Sequence, residues 1–369
     1  MKVLYIIGAV SDLTVPLEVA ELIEAKDLDL TVASYYRTEG TETSLYSGHI
    51  RSVEARGRLD LRAIRRLYAL IREVDPHVIH VHHTLSAFLG SLIGRLVGVP
   101  AVVKTEHNDH RHYKAVQKIM TTPILALVDR VICNSDHTQA SFYPWERWLA
   151  DHKAVTVYNG VNTKAVQAWS SRAEGARHAL CDELDFDART DFLLGSVGRL
   201  IEQKNYETLI SAMKHVRREQ PNVKLLVAGD GPLRGRLEER IRALGVQDQI
   251  VLMGEVPRER VYRTLYALDA FVMPSRWEGF CNAAVEAMSA GCPVLCSDIE
   301  TLREVIGEAG LFFDPHAPRA ITDAILAVAR EDPTARSERG ARNRRRAEQT
   351  LTMDDAADEY CRHYRELLA

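Results

Sequence analysis

The sequence predicts an α/β protein built from two doubly wound parallel sheets. Three observations lead there. Short Val/Ile/Leu-rich runs alternate with amphipathic helical patterns along the whole chain, and continuous apolar strands separated by helices mark parallel sheets covered on both faces. The pattern lapses near the middle and starts again. The length, 369 residues, suits two ordinary domains and exceeds one compact core.

The first series of strands comprises Val3–Ile7, Val78–Val81, Ala101–Lys104 and Val131–Cys133. The second comprises Phe192–Val197, Lys224–Ala228, Ile250–Met253, Phe271–Met273 and Val294–Ser297. Between them, Tyr158-Asn-Gly-Val-Asn162 is a turn signal, and the polar, strand-poor stretch that follows predicts a linker near residues 160–190. Met353–Leu368 has the periodicity of an amphipathic helix, and the basic run Arg342–Arg346 before it reads as a solvated helix face.

Composition narrows the class. Hydrophobic residues make up 46% and charged residues 27% of the chain, as in water-soluble globular proteins. A net charge of −4 gives no general attraction to nucleic acid or to an anionic membrane. Six cysteines are scattered, with Cys133, Cys292 and Cys296 in apolar runs, and read as reduced core residues of a cytoplasmic protein. Met1–Gly8 reads as a strand rather than a signal peptide. The apolar stretch Leu85–Val103 is broken by Arg95 and Pro100 and does not suit a bilayer span.

Doubly wound sheets bind ligands at the carboxyl ends of their strands, and the polar motifs of the second series lie there. Gly198-Arg-Leu-Ile-Glu-Gln-Lys-Asn205 places the cations Arg199 and Lys204 around one turn; a guanidinium fork and an ammonium both suit a diphosphate. Ala228-Gly-Asp-Gly-Pro232 supplies Gly229 and Gly231 for a tight strand-to-helix turn. Glu278 follows a strand in a Gly-containing loop, and Glu286 falls eight residues later inside the next helix. Eight helical residues rise ~12 Å, too far for the paired carboxylates of a glycosidase. The helix N-terminus between them offers unpaired N–H groups to a phosphate. After the first strand there is Gly8 alone and no Gly-x-Gly-x-x-Gly, which argues against a dinucleotide dehydrogenase.

Residues 192–310 resemble the donor domain of the family-4 retaining glycosyltransferases of the GT-B fold, through Ser196-Val-Gly-Arg-Leu200 with Lys204, Gly229-Asp-Gly-Pro232, Glu278-Gly-Phe with Glu286-Ala-Met, and Ala290-Gly-Cys-Pro-Val294 before Ser297-Asp298. The first half is similar more loosely, through Pro76-His-Val-Ile-His-Val-His82, Thr105-Glu-His-Asn108, Asn134-Ser135 and Asn159-Gly-Val161. The resemblance implies two Rossmann-like domains facing a central cleft: an acceptor-side domain over 1–165, a donor domain over 166–349, and a helix over 350–369 returning to the first domain. It also implies transfer, with retention and without a metal or cofactor, of a sugar from a nucleotide-sugar donor, UDP-linked in preference to GDP-linked. The acceptor would be a hydroxyl of a glycan, a lipid-linked precursor or a small molecule. A UDP-N-acetylglucosamine 2-epimerase-like enzyme and a non-catalytic nucleotide-sugar binding protein are the alternatives.

By the same resemblance, Arg199 and Lys204 hold the leaving diphosphate, with Gly198 beside them. Glu278 binds the donor sugar with the backbone of Gly279, Phe280, Cys281 and Asn282. Glu286 binds the ribose, Val256 sits by the base, and His107 with Asn108 and Gly8 lies on the first-domain side of the cleft. Many members carry a Gly-Gly loop after the first strand; here Ile7–Pro16 has Gly8 only.

Other features have blander readings. His80, His82, His83, His107, His110 and His112 cluster in the first half and read as cleft or core residues rather than a metal site. Asp27-Leu-Asp29 and Asp185-Phe-Asp187 read as surface turns. Tyr143-Pro-Trp-Glu-Arg-Trp148 reads as local packing, with an acceptor sugar or lipid as its other use. The basic helix pattern Leu59–Arg72 is diluted by Glu54, Asp60 and Glu73 and reads as solvated surface, so membrane contact, if made, is peripheral at the inner face.

Overall fold

A computed structural model describes residues 1–9, 15–26, 28–36, 46–48, 50–57, 60–173 and 175–369. The predicted loop Ile7–Pro16 lies partly outside them, as do Asp27 and Leu59. The chain divides into two compact units, Met1–Asn159 with Met353–Ala369, and Gly160–Thr352.

The first unit is a seven-stranded sheet of β1 (Lys2–Ile7), β2 (Asp29–Tyr36), β3 (Ile50–Ala55), β4 (Val78–Val81), β5 (Ala101–Glu106), β6 (Arg130–Cys133) and β7 (Ala154–Thr156). The order is β3-β2-β1-β4-β5-β6-β7, with parallel pairing throughout. Successive side chains of a strand point to opposite faces. Leu4 and Ile6 therefore join one core layer with Leu67, Ile71, Ile93 and Ile124 from three helices, while Val3, Tyr5 and Ile7 join the other. That second layer is closed by the helices Val15–Glu24 and Met353–Leu368. The C-terminal helix buries Met353, Ala356, Ala357, Tyr360, Cys361 and Tyr364, the stripe its periodicity predicts.

The second unit holds β8 (Phe192–Val197), β9 (Val223–Ala228), β10 (Ile250–Gly254), β11 (Ala270–Met273), β12 (Val294–Ser297) and β13 (Leu311–Phe313). Their order is β10-β9-β8-β11-β12-β13, again all parallel. Each unit has a switch point where strand order reverses, between β1 and β4 and between β8 and β11.

The stretch expected to be a linker is largely helical. Thr163–Gln167 and Ala176–Leu184 are helices of the second unit, and Leu180 and Cys181 pack on Leu193 and Leu226. Their apolar stripe is only a few residues long, so composition hides it. No helix among the described residues is long and apolar enough to cross a membrane.

Candidate functional site

At the β8/β11 switch point, the loops after these strands are tied together. Arg276 N–H donates to the Gln203 carbonyl at 2.8 Å, and the Gln203 amide donates to the Trp277 carbonyl at 2.9 Å. Asn205 is the hub: its Nδ2 donates to the carbonyls of Pro274 (3.0 Å) and Pro315 (2.8 Å), and its Oδ1 accepts from Thr208 and Arg276. Asn205 has φ 57°, a left-handed backbone that asparagine tolerates better than most residues.

This scaffold brings Lys204 and Glu278 into contact, Nζ to Oε1 2.6 Å, with both side chains largely buried. Burial alone would lower the Lys204 pKa, but the Glu278 carboxylate holds it well above the ordinary lysine range. Glu278 is further fixed through its carbonyl, which accepts from Thr301 Oγ1 at 3.0 Å. Arg199, one residue past Gly198, is exposed and makes no side-chain hydrogen bond or ion pair with the described residues.

Glu278-Gly279-Phe280-Cys281 leads into the helix Asn282–Ala290. Cys281 has φ 87°, a strained setting for a non-glycine residue and one that clusters at ligand sites. Burial pushes its thiol up to about 12. Asn282 Oδ1 is buried without a partner among the described residues. Only the second half of the Glu278-to-Glu286 interval is helical, so the full helical rise does not apply between them. Each carboxylate instead has its own cation: Glu286 accepts from Arg258 Nη2 at 2.8 Å.

Gly229 and Gly231 lie where two loops touch. A Cβ on Gly229, at φ 139°, would fall 2.1 Å from the Gly198 carbonyl, and one on Gly231 would fall 2.6 Å from that of Leu200. Their smallness lets the β8 and β9 loops pack backbone to backbone. Gly229 N–H donates to Gly254 at the end of β10, and half-buried Val256 follows that strand.

In the first unit, the β1/β4 switch point joins Gly8 to His83. The Gly8 N–H donates to His83 Nδ1 at 3.1 Å, so this amide is already engaged. His83 itself has φ 61° and precedes the helix Thr84–Val97. His80, His82 and His107 form a ladder of rings, 4.4 and 5.3 Å between successive centroids. His82 Nδ1 and His107 Nε2 are 3.1 Å apart, so one donates and the other accepts. Burial and the neighbouring cationic groups hold His107 down to about 3, which leaves it neutral at pH 7. Asn108 beside it is exposed. His110 belongs elsewhere, in a buried chain Lys104–Glu106–His110–Glu146. Burial alone would lower its pKa, but the two carboxylates raise it to about 9. Among the described residues no group of three or more His, Cys, Asp or Glu side chains is arranged to hold a metal ion.

Residues 186–346 match the glycosyl transferases group 1 family and residues 14–165 match Glycosyltransferase Family 4, which together take in most of the chain. The chain belongs to the family-4-like glycosyltransferases of the GT-B fold. It is 27% identical over 249 residues to an Escherichia coli UDP-Gal:alpha-D-GlcNAc-diphosphoundecaprenol alpha-1,3-galactosyltransferase, a match over 65% of this chain and 62% of that protein, less than two thirds of its length. It is 27% identical over 304 residues to the alpha-D-kanosaminyltransferase of Streptomyces kanamyceticus, covering 78% and 76% of the two chains. Its fold is that of Anabaena Alr3699/HepE, solved in complex with UDP-glucose, with a TM-score of 0.81, 16% identity and 99% and 100% coverage.

Several supports of the candidate site escape a reading of motifs. Arg258 opens a helix after β10 and holds Glu286 from there, and Asn205 adjoins Lys204 without any charge to flag it. In the basic run 342–346, Arg342 and Arg345 are exposed as expected, but Arg344 and Arg346 are half-buried. Arg344 donates to the Ala290 carbonyl at 2.8 Å, and Arg346 to those of Val305 and Glu304. These arginines cap the carboxyl ends of two site helices rather than merely facing water. Asp185 and Asp187 do form a turn: Asp185 is left-handed at a helix end, and Asp187 accepts from Arg189 N–H.

Proposed function

We propose that this protein is a retaining glycosyltransferase that moves a sugar from a UDP-sugar to a hydroxyl of a glycan, lipid-linked or small-molecule acceptor. The observation that carries the reading is the Lys204–Glu278 pair at a strand switch point, just before the N-terminus of the helix Asn282–Ala290, with the Arg258–Glu286 pair one helical turn further on. A diphosphate suits unpaired helix N–H groups and nearby cations. The sugar is assigned to Glu278 and the backbone of Gly279 to Asn282, the ribose to Glu286, and the base to the segment around Val256.

Cleavage sends the bonding electrons of the sugar–phosphate bond onto a phosphate oxygen and leaves positive charge at the anomeric carbon. Arg199, Lys204 and the helix N-terminus stabilise the departing charge, so no metal is assigned to that task. The acceptor oxygen bonds the anomeric carbon on the face the phosphate leaves, and its proton passes to a phosphate oxygen. Glu278 and Glu286, each held by a cation, orient the donor, and neither is assigned as nucleophile. His107, held neutral, is assigned as a hydrogen-bonding group for substrate.

The test is a donor screen by thermal shift, followed by turnover. A specific UDP-sugar raises the melting temperature by mass action and is consumed faster with acceptor present. Conversion of the donor to a 2-epimer without acceptor would favour the epimerase reading, and no response to any nucleotide sugar would overturn both.

A further inference from the structure

Four of the largest exposed apolar side chains sit on two neighbouring helices of the first unit. On the helix Ala115–Leu127, Val116 is 55% and Ile119 73% exposed; on the helix Pro144–Ala150, Trp145 is 53% and Trp148 81% exposed. Each pair is spaced i, i+3 and so shares a helix face. The two helices meet beside these faces. Lys118 Nζ lies 4.9 Å above the Tyr143 ring, and that ring stacks on Trp145 at 4.7 Å, nearly parallel.

Charge is one-sided around these tips. The first helix contains no acid, and Lys114 and Lys118 have no carboxylate partner among the described residues. The only acid of the second helix, Glu146, is buried against His110 at 2.9 Å. Asp151, past the helix end, is the nearest exposed acid in sequence. The basic helix Leu61–Val74 is a weaker candidate. It exposes Leu61 and Tyr68 but no tryptophan, and Glu54 and Glu73 pair with its Arg66 and with Arg51.

Exposed tryptophans cost solvation in water, whereas at a bilayer surface the indole is buried and its N–H stays wet. Apolar side chains flanked by lysines that no carboxylate neutralises match an anionic headgroup layer in both polarity and charge. We propose that the face carrying Val116, Ile119, Trp145 and Trp148, with Lys114 and Lys118, docks the protein on an anionic lipid surface. The proposal does not depend on the donor assignment, and its test requires no turnover.

The probe is co-sedimentation with vesicles of phosphatidylcholine alone and of phosphatidylcholine with 30% phosphatidylglycerol (roughly the anionic content that gives a strong surface potential), with tryptophan emission read in parallel. Wild type should bind the anionic vesicles with a blue shift and release them in high salt. W145S/W148S should lose the blue shift. K114Q/K118Q should bind about 25-fold more weakly, from about fivefold per charge, while L61S/Y68S binds as wild type. Melting curves for each variant exclude misfolding. Equal binding to neutral vesicles, unchanged binding by W145S/W148S, or dimerisation in solution that W145S/W148S abolishes would each overturn the proposal, the last by assigning the face to a second copy of the chain.

Discussion

Replacing Arg199 by Met separates chemistry from stability at the proposed site. Arg199 is exposed and makes no side-chain bond to the described residues, so its loss should change stability by no more than about 0.5 kcal/mol and the melting temperature by no more than about 2 °C. If its guanidinium meets the departing diphosphate, it acts where charge develops. Removing one such group costs about 3–4 kcal/mol, a factor of roughly 10² to 10³ in kcat. Because the charge grows in the transition state, kcat should fall more than KM rises. The assay is UDP release from the donor with the highest turnover, alongside a melting curve. A kcat within threefold of wild type would refute the role, and so would a drop of 5 °C or more in melting temperature, which would make Arg199 a structural residue.

Lys204 should behave differently. Lys204→Met strands the buried Glu278 carboxylate and should destabilise the protein by about 3–5 kcal/mol, while K204M/E278Q recovers much of the stability and none of the turnover. Gly340→Ala would place a Cβ 1.9 Å from the Gly291 carbonyl, forcing the helix Pro333–Thr350 off the end of the site helix. It should cost about 1–3 kcal/mol and weaken donor binding, read by thermal shift. His110 has a folded pKa raised to about 9 by Glu106 and Glu146, against about 6.5 unfolded. Its contribution is therefore complete below pH 6.5 and is lost as pH rises through 9, up to about 3 kcal/mol. Melting curves from pH 6.5 to 9.5 should show this decline, and His110→Gln should flatten it.

The interior of both sheets was legible because central strands are buried on both faces and read as unbroken apolar runs. β4, β8 and β12 fall where those runs predict. The strands that escaped notice are β2, whose apolar pattern is diluted by polar residues, and β3, β7 and β13, which are short or polar edges with one neighbour each. At the site, the residues with distinctive charge and spacing, Arg199, Lys204, Glu278 and Glu286, were readable. Their supports were not: Arg258 reaches Glu286 from the helix after β10, and Asn205 carries no charge to mark its ties to Pro274, Pro315 and Arg276. Gly8 shows another limit: its place after the first strand was readable, but nothing local shows that its N–H is given to His83. Arg344 and Arg346 looked like surface charge because helix-capping targets distant in sequence leave no local pattern.

The proposed donor site rests on the helix N-terminus beside Lys204 and Arg199 holding a diphosphate. Calorimetric titration with uridine, UMP and UDP tests it most directly. UDP should bind at least about tenfold more tightly than UMP, uridine should give no measurable heat, and Arg199→Met should remove most of the UDP advantage. Equal affinities for uridine and UDP, or a UDP affinity untouched by Arg199→Met, would contradict it.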